Sequence, residues 1–136
     1  MNSAVVAIGS NLQPKQHAAE ALRRLGQAAK VLALAGPLAT KALGPDGQAD
    51  PAQSDYVNLG VLLETQHDQE GLRRRLRQIE QAMGRERTGD KFASRTIDLD
   101  IVVWNAQVCD QDVWQRGFLR QLVEQLCPEA LNKKQS

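Results

Sequence analysis

The sequence predicts an α+β fold, an antiparallel sheet with helices packed on it in a split β-α-β plan. Four short stretches rich in apolar residues, at Ala4 to Ile8, Val31 to Leu38, Tyr56 to Glu64 and Arg95 to Trp104, read as strands. Stretches with apolar residues every three or four positions read as helices, and the order is strand, helix, strand, strand, helix, strand, helix. With 136 residues, positions 1–136 form one domain that buries a substantial core without disulfides or structural metal.

Ala4-Val5-Val6-Ala7-Ile8 is apolar throughout, which suits a central strand covered on both faces. It ends at Gly9-Ser10-Asn11, either a plain turn or a place where backbone can approach a ligand closely. Lys15 to Ala29 carries Ala18, Leu22, Leu25 and Ala29 on one face, an ordinary surface helix; His17 on it has no second metal ligand one turn away. Val31 to Leu38 is a second strand whose end is interrupted by Gly36-Pro37. The long stretch from Thr40 to Asp55 is a loop, and loops of that length in a small domain are commonly lids or binding segments. Strand character returns at Tyr56, where Tyr56 and Asn58 share a face: core residues, or an aromatic surface and an amide offered to a flat ligand. Asp68 is placed to cap a helix buried along Leu72, Leu76, Ile79 and Met83, and Gly84 to end it. After Trp104 the chain takes a short irregular passage, and Leu119, Leu122, Val123 and Leu126 mark a last helix.

The strand from Arg95 to Trp104 carries carboxylates where a strand usually carries apolar residues. A period of two puts Ile97, Leu99, Ile101 and Val103 on one face, and Asp98, Asp100, Val102 and Trp104 on the other. Neighbouring side chains on one face are about 6.5–7 Å apart at the backbone, so two carboxylates can converge on a hard cation. A solvated edge would present the same pattern. Upstream, Arg73, Arg74, Arg75, Arg77, Arg85, Arg87, Lys91 and Arg95 outnumber Glu80, Glu86 and Asp90. Arginines beside paired carboxylates are the composition of a site where metal and guanidinium together hold a polyphosphate. Those on the helix, Arg73 to Arg77, mostly suit a solvated face; Arg85, Arg87 and Arg95 lie off it, beside the strand.

Composition narrows the partners. A net charge of +1 argues against a globally basic nucleic-acid binder, and any positive field is local. The two cysteines, Cys109 and Cys127, lack metal-ligand spacing, and the N-terminus shows no signal peptide or long apolar run, so a reducing cytoplasmic setting is expected, away from membranes.

Taken together, Ala7-Ile8-Gly9-Ser10-Asn11-Leu12, Asp55-Tyr56-Val57-Asn58, Ile79-Glu80, Gly84-Arg85-Glu86-Arg87 and Arg95-Thr96-Ile97-Asp98-Leu99-Asp100-Ile101 resemble the 6-hydroxymethyl-7,8-dihydropterin pyrophosphokinase family. The match is collinear from about residue 4 to residue 104, with a weaker echo at Arg116-Gly117-Phe118 and Pro128-Glu129. The resemblance implies a ferredoxin-like fold and a magnesium-dependent diphosphotransferase of folate biosynthesis, moving the terminal diphosphate of ATP onto the hydroxymethyl group of a reduced pterin and releasing AMP. It implies two Mg²⁺ ions on Asp98 and Asp100, with Arg85 and Arg95 joining these aspartates as catalytic residues. On the nucleotide side it implies Glu80, Arg85, Arg87, Arg95, Ile101 and Arg116. On the pterin side it implies Gly9, Leu43, Tyr56, Asn58, Phe92 and Phe118, with Tyr56 and Phe118 sandwiching the ring and Asn58 bonding its polar edge. The loops Thr40 to Asp55 and Thr88 to Ser94 would cover the site. A monomer acting on small molecules is expected.

The chain departs from the family pattern in places. Phe92 and Ser94 stand where the family usually has tryptophan and proline, Lys41-Ala42 where it has two prolines, and Arg77 where it has glutamine. The segment after the aspartate strand, with its Val-Pro-His motif, is cut short, and Asp110-Gln111 stand about where the histidine would be. These changes fall mainly on the nucleotide side. A weak relative that binds pterin or nucleotide without efficient transfer is therefore an alternative, separable by AMP release. An RNA-binding module with the same element order is a second, disfavoured by 4% aromatic residues and no Gly-Phe-x-Phe-like strand.

Overall fold

The apolar run after Met1 becomes β1 (Asn2–Ser10), the middle strand of a sheet with every pairing antiparallel. A computed structural model describes residues 1–11, 13–41, 46–49, 55–84 and 97–132. In chain order β1 is followed by α1 (Pro14–Ala28), β2 (Lys30–Thr40), β3 (Tyr56–Thr65), α2 (Gln69–Ala82), β4 (Asp98–Trp104), β5 (Gln107–Val108), α3 (Asp112–Gln115), α4 (Gly117–Leu126) and α5 (Pro128–Leu131). The strand order is β2-β3-β1-β4-β5. This is the α+β, ferredoxin-like arrangement that the sequence predicts.

β1 is apolar from Ala4 to Ile8 because both of its faces are covered there. Ala4, Val6 and Ile8 join Leu25 of α1 and Leu72, Leu76 and Ile79 of α2 in one core. Val5 points the other way, into a second core with Leu119, Leu122, Val123 and Leu126 of α4. The stripes foreseen on α2 and α4 are the buried ones, with Met83 partly buried. On α1 the buried line is Ala18, Ala21 and Leu25, with Leu22 and Ala29 packed at its margin. Asp68 caps α2 as foreseen, its carboxylate accepting from the Gly71 amide at 2.7 Å, and Gly84 follows the helix with φ 86°.

Three expectations need correction. β2 runs two residues past the expected end at Leu38: a register irregularity between Ala35 and Leu38, with Gly36 at φ 93°, takes up the Gly36-Pro37 interruption and lets the strand continue to Thr40. The strict alternation along β4 fails after Ile101, because Val6 pairs with Ile101 while Val5 pairs with Val103, leaving Val102 as an extra residue. Val102 and Val103 consequently both enter the second core, and Trp104 turns to the first. Finally, the passage after Trp104 is ordered. Asn105 and Ala106, both at positive φ, make a two-residue turn into β5, and the Asn105 side chain fixes it by accepting from the Ser3 amide at 2.8 Å and donating to the Asn2 carbonyl oxygen of its side chain at 3.1 Å.

Candidate active site

Among the described residues α4 covers only part of its sheet face, and the register explains which residues meet at the other end. Gly9 of β1 lies opposite Asn58 of β3 on one side and Asp98 of β4 on the other. Directly paired residues of antiparallel strands point to the same face, so Asn58 and Asp98 flank a glycine with no side chain between them. The next row on this face reads Gly60, Ala7, Asp100. Gly60 and Ala7 are small because α4 lies over them: a Cβ on Gly60 would stand 2.8 Å from Leu126 Cδ1 and 3.3 Å from Leu122 Cβ. The two aspartates therefore emerge on one face, at the end of a row that α4 fills further along.

Asn58 is held from below. Its side-chain nitrogen donates to the Leu38 carbonyl at 3.1 Å and to Thr40 Oγ1 at 2.9 Å. A carbonyl can only accept, so the amide nitrogen must face β2 and Oδ1 faces Gly9. A Cβ on Gly9 would lie 3.4 Å from that oxygen and 3.7 Å from Tyr56 Cδ1, so Gly9 keeps open a slot walled by the amide oxygen and the tyrosine edge. Phe118, in the first turn of α4, packs at the margin of the second core on this same face. Arg116 precedes α4 and lies 3.8 Å from Asp112.

Asp100 is controlled by α2, which packs against the outer edge of β4. Leu99 turns both its N–H and its C=O toward that edge, where no strand among the described residues pairs with it. Glu80 accepts from the Leu99 amide at 2.7 Å, and Arg77 donates through Nη2 to the Leu99 carbonyl at 3.1 Å. The two residues stand in for a missing strand, and Arg77 Nη1 meets Glu80 Oε1 at 2.5 Å to close the clamp. The same Nη2 reaches Asp100 Oδ1 at 3.3 Å. Glu80 is 2% exposed, so its charge is matched inside the protein by Arg77. Burial, and then the neighbouring Asp98 charge, push the Asp100 carboxyl above its ordinary range, against the opposing pull of Arg77.

Two hard carboxylates that repel one another suit a divalent cation. Mg²⁺ typically takes one or two carboxylates and completes its octahedron with water and substrate phosphates. Among the described residues no group of three or more His, Cys, Asp or Glu could hold a metal ion.

Of the residues singled out from sequence, Gly9, Tyr56, Asn58, Asp98, Asp100 and Phe118 share the α4 face. Ile101 faces the opposite core, and Glu80 belongs to the clamp on the β4 edge. Leu43, Arg85, Arg87, Phe92 and Arg95 lie outside the described residues, as do most of both covering loops. Arg77 was hidden among the helix arginines expected to be solvated. The signal that could have found it is Glu80, a charge one turn after Leu76 on the buried stripe, which demands a cation three or four residues away.

The fold and the face define the class: an antiparallel α+β domain that brings a carboxylate pair beside an amide and an aromatic side chain. Its family follows from comparison with known proteins: the model of the family 7,8-dihydro-6-hydroxymethylpterin-pyrophosphokinase (HPPK) matches residues 5–128, and the chain belongs to that family.

Proposed function

We propose that this chain transfers the terminal diphosphate of ATP to the hydroxymethyl group of 6-hydroxymethyl-7,8-dihydropterin and releases AMP. Membership of the family supports pterin pyrophosphokinase chemistry in folate biosynthesis. The observation that carries the reading for this chain is the row Asn58, Gly9, Asp98, which sets a polar slot for a flat ring directly beside a carboxylate pair.

In this reading the pterin lies in the slot over Gly9. Asn58 Oδ1, fixed by the bonds of its nitrogen to β2, accepts from the ring's N–H edge. Tyr56 and Phe118 contribute ring faces, since stacking adds affinity without demanding further polar contacts. Asp98 and Asp100 hold Mg²⁺, which when bound neutralises the phosphate oxygens of ATP. The hydroxymethyl oxygen then attacks the β-phosphorus and gives up its proton to water, a bond forms between that oxygen and phosphorus, and the bond from the phosphorus to the oxygen bridging the α-phosphate breaks, with AMP leaving. Arg85 and Arg95 neutralise charge on the phosphates, with Arg87 and Arg116 on the nucleotide side and Leu43 and Phe92 on the pterin side; Glu80, inside the clamp, and Ile101, packed in the opposite core, act on that side only by holding β4 in place. The reaction needs positioning and charge neutralisation more than covalent help from the protein. No helix among the described residues is long and apolar enough to cross a membrane, and a cytoplasmic monomer is the setting we propose.

The test is AMP release from ATP with Mg²⁺ and the dihydropterin. Asp98→Asn and Asp100→Asn should each lower the rate at least about a hundredfold, the scale seen when one preorganised electrostatic group is lost, while circular dichroism stays unchanged. No AMP from the unaltered chain, or normal turnover in either variant, would overturn the proposal.

A further inference from the structure

Arg77 has three acceptors and one guanidinium. Glu80 Oε1 at 2.5 Å and the Leu99 carbonyl at 3.1 Å are parts of the clamp that closes the β4 edge, and they remain whatever the site contains. The third, Asp100 Oδ1 at 3.3 Å, is half of the carboxylate pair. Among the described residues Arg77 is the cation recorded against Asp100. It therefore presents a positive charge where a divalent cation would also sit.

We propose that Arg77 is a built-in competitor for Asp100, setting the concentration of divalent cation at which the site fills. The inference rests on reading Asp98 and Asp100 as the metal pair. A cation bound by both carboxylates must displace Nη2 from Oδ1 or share that oxygen with it, and either is unfavourable for two like charges in contact. The exchange is a close contest, since the Asp100 side chain is 51% exposed and Arg77 is 30% exposed, and ion pairs so placed shift a binding constant by only roughly two- to fivefold. Displacement costs Arg77 one contact of three. Filling the site thus leaves the clamp on β4 in place, with Nη2 still donating to the Leu99 carbonyl, while freeing the one N–H of Nη2 that had faced Asp100. A purely structural Arg77 would have no bearing on metal affinity, and an Arg77 that aims Asp100 at the metal would strengthen it.

The experiment is a titration of the full chain with Mn²⁺ alone, free Mn²⁺ being counted by electron paramagnetic resonance, without nucleotide or pterin. Arg77→Gln can still donate to the Leu99 carbonyl but carries no charge, and it should bind Mn²⁺ roughly two- to fivefold more tightly than the unaltered chain. Arg77→Lys keeps the charge and should not share that gain. Unchanged or weaker binding in Arg77→Gln overturns the proposal, as does an equal gain in Arg77→Lys. Should Arg77→Gln fail to fold, Glu80→Gln gives the opposite sign: it keeps an acceptor for the Leu99 amide, removes the rival carboxylate, and commits Arg77 more fully to Asp100. Its Mn²⁺ affinity should fall, and an unchanged or raised affinity refutes the competition. Asp98→Asn and Asp100→Asn separate the two readings. If Mn²⁺ binding survives in both, or is absent from the unaltered chain, the metal pair itself is wrong and the competition falls with it; if binding is lost in both while Arg77→Gln changes nothing, only the competition falls.

Discussion

Two glycines on the α4 face make a paired experiment that separates site from scaffold. Alanine at Gly60 would push a methyl to 2.8 Å from Leu126 Cδ1 and 3.3 Å from Leu122 Cβ, both on a helix packed against the sheet. The Leu126 tip can rotate, but Leu122 Cβ is fixed to its backbone, so α4 must lift by a few tenths of an ångström. Overpacking of this kind costs about 1–3 kcal/mol. At Gly9 the added methyl would meet nothing nearer than Asn58 Oδ1 at 3.4 Å, an ordinary contact, and Gly9 has no positive φ to forbid it. Alanine there should leave stability unchanged or raise it by up to about 1 kcal/mol, because glycine in a strand gives up more chain entropy on folding. The same methyl fills the slot in front of Asn58 Oδ1, which a ring N–H must approach to roughly 2.9 Å to bond. Loss of that bond and of ring contact should weaken dihydropterin binding by about tenfold or more. Urea denaturation and calorimetric titration with the dihydropterin read the two quantities. Gly9→Ala with unaltered affinity would refute the placement of the pterin over Gly9, and Gly60→Ala with unaltered stability would refute the tight seating of α4.

Other outcomes follow from the same contacts. Glu80→Ala leaves the Leu99 amide without its acceptor and Arg77 without its buried partner, and should cost about 3 kcal/mol in urea denaturation, whereas Glu80→Gln should cost less than half of that. Asn58→Asp, nearly the same shape, sets a carboxylate against the Leu38 carbonyl, and should lose about 1–3 kcal/mol of stability together with pterin affinity. Asp100 has a folded-state pKa above its unfolded value, so its ionisation opposes folding: the penalty is absent below the ordinary aspartate pKa of about 3.9 and grows as pH rises through the folded value. Asp100→Asn should therefore gain stability at neutral pH, by less than about 1 kcal/mol for a side chain half exposed, and none near pH 3, as thermal melts at the two pH values will tell.

The parts of this fold legible in sequence are those governed by local periodicity. Leu72, Leu76, Ile79 and Met83 announce α2, and Asp68 announces its start, because stripe and cap are both set within a few residues. The same-face placement of Asp98 and Asp100 follows from the pleat alone. What periodicity could not carry is anything set by a partner strand. The extra residue at Val102 is fixed by how β4 pairs with Val5 and Val6 of β1, a hundred residues away, and it reverses Val103 and Trp104 relative to the alternation. β5 escaped notice because its turn uses Asn105-Ala106 where the strong signal would be Asn-Gly. Of the site, Tyr56, Asn58 and the aspartates are visible in sequence, whereas the roles of Thr40 and Arg77 exist only once β2 lies beside β3 and α2 beside β4.

One consequence of the register joins these threads. Along β1 the α4 face runs Val5, Ala7, Gly9, and each step is smaller than the last. Valine packs against α4, alanine admits the helix closely, and glycine ends the packing and opens the slot. A helix can cover a sheet only while side chains fill the space between them, so the narrowing series sets where the core stops and where solvent and ligands may enter. Asp98 and Asp100 stand beside the last two steps, at Gly9 and Ala7. One row further from the open end, a carboxylate would lie beside Val5, facing the second core with no water to solvate it; one row beyond Gly9 it would leave the reach of Arg77. The position of the carboxylate pair along β4 is thus bounded on both sides by packing and by charge. Slot, clamp and aspartates are all placed by elements that also build the core, and a residue added to or removed from β1 would displace them relative to each other at once.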